Sequence, residues 1–91
     1  MEIYQTTIQH FFVSNGIDYA MAVETTNDVI LSATHEVAMS KHMEIVERKR
    51  QYEHEWCDTS YYEEMKWDIT RIHYKGGRRT IIITQPKELN Q

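Results

Sequence analysis

The chain contains one cysteine, one proline and three glycines among its 91 residues, and no lysine or arginine before position 41. Cys57 alone cannot close an internal disulfide, and the start MEIYQTTIQH lacks the basic segment and apolar stretch of a secretion signal. A reducing, cytoplasmic setting is therefore expected. Apolar runs such as VIL at 29–31 and III at 81–83 are far too short to span a bilayer, so no membrane partner is expected. Glycine and proline are absent from Ile17 to Lys75, and nothing in that stretch forces a break in a helix.

What is present is ordinary for a globular protein. Hydrophobic residues make up 41% and charged residues 26%, which excludes a disordered chain or a fibrous repeat. A chain of this length forms one domain, expected over residues 1–86 with a loose tail at 87–91, and buries about 60–65% of its unfolded surface. The net charge of −4 is unevenly spread. Glu2, Asp18, Glu24, Asp28 and Glu36 make the first part acidic, whereas Arg71, Lys75, Arg78, Arg79 and Lys87 outweigh Asp68 and Glu88 at the other end.

Two turn signals organise the chain. Asn15-Gly16 suits a two-residue type I′ hairpin, which sets Phe12 opposite Tyr19, His10 opposite Met21 and Ile8 opposite Val23. Gly76-Gly77 joins WDITRIHY to RTIIIT, and a two-residue loop there sets Lys75 opposite Arg78, Tyr74 opposite Arg79 and Ile72 opposite Ile81. That register turns Ile81 and Ile83 to the core and gathers Arg71, His73, Lys75 and Arg78 on the other face, near Trp67. Gln85-Pro86 is expected to stop the last strand.

Between the hairpins, Thr25 and Asp28 have the spacing of a capping box, and a long helix is predicted from there to about Trp56. Its sheet-facing stripe is Ile30, Thr34, Val37, Ala38, Lys41, Ile45, Tyr52 and Trp56. Residues 58–66 read as a connector. The fold expected is α+β, ββαββ, an antiparallel sheet of two hairpins with one long helix on one face.

Met39, Met43 and Val46 form a second apolar line on the helix, away from the predicted core stripe. A helix with one face on a core has no need of that line, and methionine suits an adaptable contact surface. With Asp18 and Glu24 on the first hairpin, these residues are the candidate surface for a protein partner, a second copy being the simplest. The alternative is nucleic-acid binding by Arg71, His73, Lys75 and Arg78 with Trp67. Against it, few phosphates would be neutralised and the rest of the domain is acidic. The run ERKRQ at 47–51 is self-neutralised, since each cation has an acidic neighbour three or four residues away.

Reaction chemistry is sparse. His54 with Cys57, and His35 with His42, have spacings that place two ligands on one helix face, but neither completes a tetrahedral metal set. Cys57 near His54, or Glu63-Glu64, lacks an oxyanion hole and a third orienting group, and Gly76-Gly77 precedes no helix that would cradle a phosphate. His10 reads as a core histidine. No metal or cofactor is expected, and the expected function is a small non-enzymatic protein-binding module: an inhibitor, adaptor or regulator of the kind viruses and mobile elements often encode.

Overall fold

The structure, a computed structural model, describes residues 2–13, 20–52, 57–74 and 77–88. Asp18, Lys75, His54 and Trp56 lie outside these residues, and Glu24 and Cys57 are described only as backbone positions. Six elements follow one another: β1 Glu2–Val13, β2 Ala20–Ser32, α1 His35–Tyr52, β3 Cys57–Glu64, β4 Trp67–Tyr74 and β5 Arg78–Glu88. The strands form one sheet in the order β2-β1-β5-β4-β3, with every neighbouring pair antiparallel. The helix joins the two edge strands and packs over one face of the sheet, against β1, β2, β4 and β5. The fold is α+β as expected, with a fifth strand added.

That strand is β3, where a connector is predicted. CDTSYYEE pairs along its whole length with β4, from Cys57 opposite Tyr74 to Glu64 opposite Trp67. Thr59, Tyr61 and Tyr62 are good strand formers. The turn carries no glycine: Met65 and Lys66 both have positive φ, 51° and 70°, as a two-residue type I′ hairpin requires.

The helix also starts later than the Thr25–Asp28 pattern predicts. The segment TTNDVILS stays extended, with Val29 opposite Thr7 and Leu31 opposite Gln5, because β-branched side chains beside a strand partner favour the sheet over an isolated helical turn. Register irregularities between Ile8 and His10, and between His10 and Phe12, let β2 hold extra residues, so Ile8 lies opposite Asp28 and Phe12 opposite Met21. Thr34 is the true cap. Its Oγ1 accepts from the Val37 N–H at 3.2 Å, and its carbonyl accepts from the Ala38 N–H at 3.0 Å.

The final hairpin is displaced by one residue from the two-residue Gly-Gly loop. Ile72 faces Thr80, and His73 faces Arg79. Three residues separate β4 from β5, and Gly77 has φ 88°, the left-handed position that a three-residue hairpin assigns to glycine. Because side chains alternate, a slip of one residue exchanges the two faces of β5. Thr80, Ile82 and Thr84 turn to the helix, and Ile81 and Ile83 turn away from it. The strand also runs through Pro86 to Glu88, two residues into the predicted tail. Pro86 pairs with Tyr4 beyond the last β4 pair, so its missing N–H costs nothing on that side.

The core is small: Ile8, Ile45, Val46, Ile72 and Ile82, with Ile30 and Tyr74 packed against it. The helix therefore presents Ala38, His42, Ile45 and Val46 to the sheet, rotated from the predicted stripe, and Val37 is left exposed. Val46, expected on the partner line, is a core residue.

Candidate functional site

The two faces of the sheet differ from each other in an unusual sense. An antiparallel sheet covered on one side ordinarily turns apolar residues inward and polar residues to water. Here the covered face is rich in threonine. Thr6, Thr70, Thr80 and Thr84 are all buried under the helix.

These hydroxyls are satisfied by histidines and by each other. Thr6 Oγ1 and Thr84 Oγ1 are 2.8 Å apart; His42 Nδ1 lies 2.8 Å from Thr84 Oγ1, and His42 Nε2 lies 2.6 Å from Thr70 Oγ1. A neutral ring meets both partners by donating from one nitrogen and accepting at the other. Burial holds the His42 pKa below its ordinary value, against the opposing pull of the Asp68 carboxylate. Thr80 is met by His10 Nδ1 at 3.0 Å. His10 is thus the hydrogen-bonded histidine its place in β1 suggests.

At the other end of the covered face, Asp68 is buried and has both oxygens engaged. Oδ2 lies 2.8 Å from His35 Nε2, and Oδ1 accepts from the Tyr61 hydroxyl at 2.5 Å. That hydrogen bond is the main reason the Tyr61 phenol is pushed up to about 12. His35, Asp68 and Tyr61 tie the first turn of α1 to β4 and β3. His42, with both ring nitrogens committed to threonines, is not available as a metal ligand beside His35. Among the described residues, no three of His, Cys, Asp and Glu are grouped to hold a metal ion. Glu63 and Glu64 are successive strand residues, so they point to opposite faces and cannot act as a pair.

The uncovered face reads differently. Its middle row runs Val29, Thr7, Ile83, Ile69 and Tyr62 across all five strands. Leu31, Trp67 and Ile81 flank that row. Val29, Leu31 and Trp67 are 50%, 55% and 44% exposed, and Ile81, Ile83 and Tyr62 are half-buried. No other element described in the structure packs on this side. Charge lies outside the middle row: Glu64 and Arg71 two residues from it, and Lys87 at one end and Arg79 with Asp58 at the other, four residues from it.

The residues predicted for nucleic-acid binding are partly separated. Arg71, His73 and Trp67 share the uncovered face, joined there by Arg79, which the predicted register had placed on the other side. Arg78 instead lies over the Tyr74 ring, 5.7 Å from its centroid, on the helix side. Arg71 is stacked 5.3 Å from the Tyr62 centroid. The His73 pKa is held down, first by burial and then by Arg79, with Asp58 pulling the other way. That shift favours the neutral ring, so His73 adds little charge to the patch. Of the predicted protein-contact line, Met43 is exposed and Met39 half-buried, so two methionines remain once Val46 joins the core.

Sequence periodicity missed the uncovered face because it gave Ile81 and Ile83 to the core. The one legible signal was the run of isoleucines between two threonines in RTIIIT, which supplies both faces of a strand with residues able to be buried. No family model, curated protein or solved structure matches the chain.

Proposed function

We propose that the chain is a small non-enzymatic protein-binding module, an inhibitor, adaptor or regulator, and that the uncovered face of its sheet is the recognition surface. One observation carries this reading: the buried face is threonine-rich and the open face carries Val29, Leu31, Trp67, Ile81 and Ile83. A solvated sheet face gains nothing from such residues, whereas a partner covering them removes apolar surface from water, worth about 25 cal/mol per Å2. An uncharged middle row bordered by charged flanking rows is also the arrangement of a protein interface, with its dry centre and polar rim.

The nearest competitor is an RNA or DNA strand lying on Trp67, Tyr62 and Arg71. It is weaker because His73 adds little charge, Arg71 is engaged with Tyr62, and Asp58 and Glu64 share the face. The test compares tagged wild type with the double variant Val29→Lys, Leu31→Lys and the helix variant Met43→Lys in capture experiments, with and without nuclease. The reading expects the sheet variant to lose its stoichiometric protein partner and the helix variant to keep it. Capture that survives in the sheet variant, or material consisting only of nuclease-sensitive nucleic acid, would overturn it.

A further inference from the structure

We infer that the occupant of the uncovered face is a second copy of the same chain, packed sheet against sheet about a two-fold axis. The inference rests on the proposal that this face is a protein interface, and it names the partner. Three features of the face lead to it.

The first is size. Five strands about 4.8 Å apart, over about eight residues at 3.3 Å each, make a sheet surface some 20 Å by 27 Å. Two such faces remove on the order of 1,000–1,400 Å2 of total accessible surface, which reaches the range of a specific dimer rather than that of an incidental contact. A sheet face is matched by another of the same twist, with side chains interdigitating across about 10 Å.

The second is the self-complementarity of the middle row. A two-fold axis lying between the copies along Val29, Thr7, Ile83, Ile69 and Tyr62 places each of these residues over its own counterpart. All five tolerate that placement: two isoleucines and a valine meet their like, threonine pairs with threonine, and tyrosine stacks beside tyrosine. No charged residue stands in the row, so no like-charge clash falls on the axis.

The third is the pair flanking Ile69 on β4. Trp67 and Arg71 lie two residues on either side of it, so the same axis carries Trp67 of each copy over Arg71 of the other. Arg71 already lies over the Tyr62 ring, 5.3 Å from its centroid, and its side chain is exposed to an incoming indole. The two cation–π contacts formed this way supply direction to an otherwise apolar contact. The same axis carries Arg79 of each copy over Lys87 of the other, four residues to either side of Ile83, a like-charge cost that falls in the outer rows, where solvent and salt screen it.

Sedimentation equilibrium of the purified protein over a range from about 1 to 200 µM tests the inference, with circular dichroism and urea midpoints recorded for every variant. Wild type is expected to be dimeric at the upper concentrations. Val29→Lys with Leu31→Lys, at positions half or more exposed, should fold as wild type and shift the dissociation constant upward by at least tenfold. Arg71→Ala and Trp67→Ala should each weaken it several-fold, and Met43→Lys should leave it unchanged. A wild type monomeric at 200 µM overturns the inference, as does a dimer indifferent to both sheet variants. Loss of partner capture by the Val29→Lys, Leu31→Lys variant of a strictly monomeric protein would overturn the second copy alone and leave the interface reading standing.

Discussion

His42 bridges two strands from the helix, its ring lying 2.8 Å from the Thr84 hydroxyl on β5 and 2.6 Å from the Thr70 hydroxyl on β4, with no exposed surface. The bridge fixes which face of β5 lies under the helix, because only one register brings Thr84 and Thr70 beneath the same ring. Replacing His42 with alanine removes two buried hydrogen bonds and leaves a cavity, and should cost about 2–4 kcal/mol. A urea denaturation curve measures this, and a loss below 1 kcal/mol would show that the bridge is incidental.

The same ring sets an acid limit. Burial lowers its pKa in the folded protein, so as the pH falls below about 6.5 the unfolded chain takes up a proton that the folded chain refuses. The contribution is fully present above pH 6.5 and declines below it until the folded ring itself titrates. Urea midpoints measured from pH 8 to pH 5 should fall, and His42→Gln should flatten that part of the profile.

Tyr61 sets the opposite limit. With its phenol pushed up to about 12 by the hydrogen bond to Asp68, the folded protein keeps a proton that the unfolded chain loses near pH 10. Stability should hold to pH 10 and fall between there and about 12. Tyr61→Phe should remove that decline, and an unchanged alkaline profile would contradict the assignment.

The turn between β3 and β4 places Met65 and Lys66 at positive φ without the residues that favour it. A left-handed conformation costs a residue with a Cβ about 1 kcal/mol or more. Met65→Asn together with Lys66→Gly should therefore raise the unfolding free energy by about 1 kcal/mol, part of the gain being offset by glycine's greater freedom in the unfolded chain. Calorimetry should show a higher melting temperature.

The α+β class, the antiparallel pairing of β1 with β2 and of β4 with β5, and the helix over one sheet were legible from alternation and periodicity, while the Asn15-Gly16 turn lies outside the described residues. The register of β5 was not legible, because RTIIIT supplies an apolar residue to either face, and the threonines looked like the solvent side. Their partner, His42, is far away in sequence, and no local pattern announces a histidine that bonds two strands. The continuation of β2 through Val29, Ile30 and Leu31 was hidden by Thr25 and Asp28, whose capping spacing is real but is overruled by pairing with β1. Val46 was assigned outward for a related reason. Rotating the helix so that His42 faces the sheet carries Val46 inward and leaves Met39 half-buried and Met43 exposed.

The central claim is that the face bearing Val29, Leu31, Ile81 and Ile83 is covered in the working protein. Methyl NMR with a soluble paramagnetic relaxation agent tests it directly, comparing dilute protein with concentrated protein. The account predicts that the methyls of those four residues are relaxed strongly when dilute and protected when concentrated, while the Met43 methyl is relaxed equally in both. Equal relaxation of the sheet methyls at both concentrations would contradict self-recognition by this face. Protection appearing at Met43 instead would move the interface to the helix.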